Sequence, residues 1–328
     1  MISRRAFLFA AAAVAMPNAL RGTTGFAASS LIAPVHFSVP KGACDCQTHV
    51  FGDPLKFPFS SGRSYTPEPA PVSEMRVLHR ALHMDRVVIV QPTVYGTDNS
   101  CMLDAVRQLG RQARGVAMID EHTSQSQLDE MGRRGVRGLR IGLESSAQTD
   151  TGTALRQFQA TAQKIASRNW HIQIGTRLPT IAKLQDALAD SPVPIVFEHF
   201  AHAEAPLGTE QVGFGPLLKL VRSGKAYVKI SAAYRCCSIS GGKSLTPPDF
   251  PEIVPLTKAL LSANPERIIW GSDWPHPGPT SPGHSFTDIA PRMSVDDGQM
   301  LNLFSTWAPD PALRRMILVE NPARLYDF

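Results

Sequence analysis

Three stretches of this chain carry side chains able to do acid, base and hydrogen-bond chemistry where an apolar run ends. They are Asp45-Cys46-Gln47-Thr48-His49, Phe197-Glu198-His199-Phe200-Ala201-His202 and Trp270-Gly271-Ser272-Asp273-Trp274-Pro275-His276-Pro277. An imidazole from each of His49 and His199 with the Asp273 carboxylate would equip one pocket for hydrolysis. The carboxylate would act as general base on water, and the imidazoles would orient the water or polarise a carbonyl. Each residue also has a purely structural alternative: a lone His after a strand often packs and hydrogen-bonds, and Asp before Trp-Pro is good turn chemistry. The agreement of three positions favours catalysis.

Such convergence needs a fold that brings distant strand ends together. Strand-like runs fall at Ala43–Val50, Arg86–Gln91, Gly115–Ile119, Val136–Ile141, His171–Thr176, Val193–Glu198, Ala226–Ser231 and Arg267–Ser272. Helix-period segments lie between them, at Ser73–His83, Met102–Gln112, Gln125–Arg134, Thr153–Arg168, Thr180–Ala189, Pro216–Ser223 and Pro251–Ser262. Eight βα units predict an α/β (β/α)8 barrel over 43–328 as one domain, with function gathered at the C-terminal strand ends. An open doubly wound sheet would carry a glycine-rich first turn, and strand one instead ends Thr48-His49-Val50-Phe51-Gly52. Period-two alternation places Asp45, Gln47 and His49 on the lumen face of strand one, with Cys44, Cys46 and Thr48 opposite.

Arg140, Arg177 and Arg235 fall where the mouth of that barrel would be, and guanidinium forks suit carboxylates, so a small anionic substrate is expected. Any one of them taken singly reads as a surface ion pair. The chain carries 33 Lys and Arg against 28 Asp and Glu, a net +5. Residues 1–27, with Ser3-Arg4-Arg5-Ala6-Phe7-Leu8, a short apolar stretch and small residues up to Ala27, read as a twin-arginine export signal. Its removal takes three arginines and no acid, leaving +2. The expected address is therefore the periplasm, the first partner is the twin-arginine export machinery, and no stable membrane anchor remains after cleavage. Residues 28–42 read as an arm. With no Lys/Arg block, nucleic-acid binding lacks support. The five cysteines include adjacent Cys236 and Cys237 and read as buried thiols rather than a disulfide framework.

From about Gly42 to Phe328 the chain resembles the amidohydrolase superfamily, in the branch of the 2-pyrone-4,6-dicarboxylate lactonases. The matching segments are Asp45–Gly52, Arg63-Ser64-Tyr65-Thr66-Pro67, Val88–Pro92 with Gly96-Thr97-Asp98-Asn99, Arg137–Arg140, Glu198-His199, Tyr234-Arg235, Trp270–Pro277 and Asn321–Tyr326. The resemblance implies Asp273 as the water-activating base and His49 and His199 on the lactone carbonyl. It implies Tyr65, Arg140 and Arg235 on the substrate's carboxylates and scissile ester. The candidate substrate contacts are Gln47, Tyr65, Gln91, Thr97, Arg140, Arg177, His202, Arg235 and His276. The branch implies no metal, although most of the superfamily binds one or two divalent ions.

Departures from the branch qualify this. Gln47 stands where the first motif histidine is expected, and an amide is a poor zinc ligand. A single zinc on His49, His199 and Asp273 stays open, and no cofactor is favoured. The second arginine after strand four is replaced within Gly142-Leu143-Glu144-Ser145-Ser146, where Glu144 would repel an anion, and His202 stands at the strand-six arginine position. The leading expectation is a periplasmic hydrolase of a carboxylated lactone. The alternatives are an aldarolactone isomerase, a mononuclear metal-dependent hydrolase or decarboxylase, and, least, a non-catalytic binder.

Overall fold

The structure, a computed structural model, describes residues 32–143, 150–237, 250–278, 283 and 285–328. The export signal and Glu144 lie outside the described residues. Eight parallel strands lie side by side in chain order: β1 (Cys44–Thr48), β2 (Arg86–Val90), β3 (Ala113–Ala117), β4 (Val136–Gly142), β5 (His171–Gly175), β6 (Ile195–Phe197), β7 (Ala226–Lys229) and β8 (Ile268–Ile269). Backbone hydrogen bonds close the seam between the first and the last, from Cys46 to Trp270 O at 3.0 Å, Asp273 to Gln47 O at 2.8 Å and His49 to Trp274 O at 2.8 Å. Gly271 makes that approach possible, since a Cβ there would stand 2.5 Å from Gln47 Cβ. The alternation of strand and helix periods thus gives the (β/α)8 barrel that it predicts.

The helices α1 (Val72–Ala81), α2 (Ser100–Leu109), α3 (Gln125–Arg133) and α4 (Thr151–Ile165) form the first half of the outer layer. Ser124 and Gln127 make a capping box for α3, and Asp150 caps α4. The single helix expected over 180–189 is two, α5 (Leu178–Lys183) and α6 (Gln185–Ala189), interrupted at Leu184. Then come α7 (Phe214–Arg222) and α8 (Ile253–Ala263). Ile195 and Phe197 pack into the layer between strands and helices, while Val196 turns into the lumen. Each such side chain contributes roughly 1.5–3 kcal/mol of burial.

Strand one departs from simple alternation. Its register on β2 slips between Asp45 and Thr48, and this irregularity re-aims the side chains on either side. Cys44 and Cys46 join Val88, Val90, Val116, Val196, Tyr227 and Ile269 in the lumen. Asp45, expected in the lumen, faces outward instead. It accepts from Ser272 Oγ at 2.6 Å and lies 3.2 Å from Nε2 of His79 on α1. Beyond the slip, Gln47 and His49 do point inward.

The chain continues through α9 (Asp297–Trp307), α10 (Pro311–Arg315) and α11 (Asn321–Tyr326). Tyr326 of α11 packs with the lumen cluster, its ring edge-on to His171 at 5.1 Å. At the other end of the sequence, the arm lies on α9. Asp296, the α9 cap, also accepts from Ala33 N–H at 3.0 Å, and Gly298 leaves room for Ala33 O, which a Cβ would overlap. Among the described residues, no helix is long and apolar enough to cross a membrane.

Candidate active site

A cavity of about 720 Å³ opens among the segments that follow the strands' C-terminal ends, and His49, His199 and Asp273 share its wall. Asp273 is buried and follows β8 in a left-handed conformation, φ 71°. Its Oδ2 accepts from Tyr234 Oη at 2.8 Å and from Arg235 Nε at 2.7 Å. Its Oδ1 faces His49 Nε2 at 3.7 Å and His199 Nε2 at 3.6 Å, beyond direct hydrogen-bond length. Burial alone would raise the carboxyl's pKa, but the Arg235 guanidinium outweighs it and holds the group well below the usual carboxylate range.

The two imidazoles are presented differently. His49 Nδ1 lies 2.8 Å from Val90 O, which can only accept, so Nδ1 carries the proton and a neutral ring offers an acceptor at Nε2. His199 Nδ1 lies 2.9 Å from the Ser231 hydroxyl, which can donate and so leave Nε2–H as a donor. Burial pushes the His199 pKa down to about 3, the neighbouring His202 adding to that effect and Asp273 opposing it, so this ring is neutral. His199 begins four successive non-glycine residues with φ between 45° and 56°. Each costs roughly 1–2 kcal/mol, and backbone strain of this kind gathers at functional sites.

The cations around the cavity are engaged. Arg140 makes a two-pronged pair with Glu198, Nε to Oε1 at 2.7 Å and Nη2 to Oε2 at 2.9 Å, while Nη1 donates to Gln91 O at 3.0 Å. Arg235 holds Asp273 and donates to Pro277 O at 3.1 Å. Tyr65 also lines the wall, its phenol kept protonated by burial that pushes its pKa up to about 12.

The amidohydrolase family profile matches residues 44–328. The chain belongs to the amidohydrolase family. It is 35% identical to a 4-sulfomuconolactone hydrolase of Rhizobium radiobacter, across 90% of this chain and 93% of that one. It is 32% identical to a 2-pyrone-4,6-dicarboxylate hydrolase of Comamonas testosteroni, across 88% and 92%. A solved Pseudomonas putida protein provisionally named a 2-pyrone-4,6-dicarboxylic acid hydrolase superposes with a TM-score of 0.69 at 30% identity, across 89% of this chain and 98% of its own.

Amidohydrolases often hold divalent metal, zinc in one structural neighbour among them. The donor set of this amidohydrolase does not fit such an ion. Gln47, at the first motif histidine's position, gives its carbonyl oxygen to the Lys229 ammonium at 2.6 Å, and Asp273 gives one oxygen to a guanidinium. Among the described residues, no group of three or more His, Cys, Asp or Glu side chains is arranged to hold an ion.

Of the candidate contacts read from the sequence, Tyr65, Arg140, Arg177, His202 and Arg235 line the cavity. Gln47, Gln91, Thr97 and His276 do not. Gln91 spends its amide on the carbonyls of Gly96 and Asp98, at 3.1 and 2.8 Å, and Thr97 is exposed on that loop. His276 lies behind the wall, bridging Tyr234 Oη at 3.0 Å and Asp297 Oδ2 at 3.0 Å. Sequence reasoning missed three participants: Glu198 and Tyr234 as partners within the site, and Lys229 in the lumen. The signal for Lys229 was present, since it shares strand parity with Tyr227 and Ser231, both facing inward.

Proposed function

We propose that this amidohydrolase opens a lactone bearing a carboxylate or similar anionic group, without a metal, in the periplasm after twin-arginine export. The convergence of His49 Nε2, His199 Nε2 and Asp273 Oδ1 carries the reading. Names of relatives agree in class: both are hydrolases of anionic lactones. Water held by His49 Nε2 and Asp273 Oδ1 attacks the carbonyl carbon and passes its proton to Asp273. The carbonyl oxygen takes up the negative charge and receives a hydrogen bond from neutral His199 Nε2–H. A donor of this sort contributes roughly a hundredfold to a thousandfold. Collapse breaks the ring C–O bond, and Asp273 returns the proton to the leaving oxygen, giving a ring-opened acid. His49 therefore orients the nucleophile, and only His199 polarises the carbonyl.

A base as weak as Asp273 needs its guanidinium partner drawn off. A substrate anion sharing Arg235 would do that, since it competes for the charge that depresses the carboxyl. The decisive assay offers mature protein, chelated and desalted, a panel of 2-pyrone-4,6-dicarboxylate, 4-sulfomuconolactone and aldarolactones, following acid release and lactone identity together. Acid release without added metal is expected. A rearranged lactone with no acid would make the protein an isomerase, and turnover only on restoring zinc would overturn the metal-free mechanism.

A further inference from the structure

Beneath the cavity, inside the barrel, lies a charge that the proposed mechanism does not use. Lys229 is fully buried on β7. Its ammonium donates to Cys46 O at 2.7 Å, Gln47 Oε1 at 2.6 Å and Gln173 Oε1 at 2.6 Å. An ammonium has three protons and no lone pair, so it can only donate, and all three bonds are taken. That fixes the direction of everything above it. Gln173 must turn its oxygen down to Lys229, and its amide then donates upward to Glu198 Oε1 at 2.6 Å. Glu198 in turn grips Arg140 with both oxygens, and Arg140 lines the cavity.

We infer that Lys229 is a positioning residue: through Gln173 and Glu198 it sets the guanidinium of Arg140 on which a substrate carboxylate or sulfonate docks. The inference rests on the reading of an anionic substrate, though not on its hydrolysis. It also accounts for Gln47. The position that would hold a motif histidine instead carries an amide oxygen, which an ammonium needs and a protonated ring nitrogen would not supply.

The relay has its own pH signature. Burial lowers the Lys229 pKa to about 8, with Arg140 adding to the effect and Glu198, Cys46 and Asp45 opposing it. A further titratable neighbour is His171, whose own pKa burial holds down at about 3. Once neutral, the amine becomes an acceptor, Gln173 loses the reason for its orientation, and Glu198 loses a donor. Loss of that proton does not weaken the fold. Between pH 8 and 10.5 the unfolded chain binds a proton that the folded chain has released, so this group makes stability rise with pH.

Citrate, a tricarboxylate that cannot be hydrolysed here, serves as the probe by calorimetry on the full-length protein. Lys229→Met and Gln173→Leu are each expected to weaken citrate binding about tenfold, and the double variant no further than either single one. Wild-type affinity should fall above about pH 8 while circular dichroism stays native, and Lys229→Met should show no such step. Additive losses, unchanged affinity in Lys229→Met, no citrate binding by the wild type, or an alkaline step that survives in Lys229→Met each overturn the inference. If Lys229→Met does not fold, the wild-type titration decides, and a flat profile refutes the relay. A wild type that binds citrate as described yet opens no lactone would sink the proposed hydrolysis and leave the relay standing.

Discussion

Two buried aspartates flank the barrel seam, and they are built to opposite ends. Asp45 receives Ser272 N–H at 2.9 Å, Ser272 Oγ at 2.6 Å and Gln47 N–H at 3.1 Å, with His79 Nε2 at 3.2 Å. Both of its oxygens are occupied by short bonds from rigid neighbours. Asp273 has one oxygen held as firmly and the other facing two imidazoles beyond bonding distance on the cavity wall. Carboxylate, burial and a nearby histidine are common to both. Under the proposed mechanism, what separates the structural acid from the reactive one is an oxygen whose partners stand back from it.

Breaking the reactive member should have the largest effect. Asp273→Asn is expected to cut turnover of an anionic lactone about a thousandfold or more, with substrate binding changed only severalfold. Single-turnover rates beside equilibrium binding would show this, and a variant keeping a tenth of the wild-type rate would end the assignment. Asp45→Asn should do the reverse. Its loss leaves buried donors poorly matched and costs about 3 kcal/mol in a denaturant titration, while turnover per folded molecule persists. A stable but inactive Asp45→Asn would erase the contrast.

A smaller effect sharpens the comparison through neutral imidazoles. His171 and His199 both titrate at about 3 in the folded protein because burial disfavours their charged forms. As pH falls from 6.5 towards 3, the unfolded chain takes up protons that the folded one refuses, and stability drops. Each contributes on the order of 1 kcal/mol per pH unit in that window. His171→Phe should flatten the slope without touching the cavity; an unchanged slope would show that His171 is charged as folded.

The contrast also marks where the sequence was informative. Eight strand runs, the helical stretches apart from the one that divides at Leu184, and the convergence of His49, His199 and Asp273 were legible because strand and helix periods are local, and because a barrel dictates which ends meet. Asp45 was misplaced because its direction depends on a register slip, a backbone event that no side chain announces. The unequal presentation of His49 and His199 depends on whether a carbonyl or a hydroxyl stands behind each ring, and Val90 lies on β2 while Ser231 follows β7. Lys229 went unread because a lysine in an apolar strand looks like an edge or a surface position until its three acceptors, from two strands distant in sequence, are assembled around it. Gln47, Gln91 and His276, read as substrate contacts, do not line the cavity, and each is spent on protein partners.

The arm's hold on α9 also sets an order in time. Ala33 reaches Asp296, and the His36 N–H reaches Asn302 Oδ1 at 2.7 Å, across separations of 263 and 266 residues. At roughly 5–20 residues per second, a ribosome that has finished the arm takes on the order of 15–50 s to make its resting place. The arm stays undocked until α9 has been made, and its docking marks a chain synthesised at least as far as Asn302.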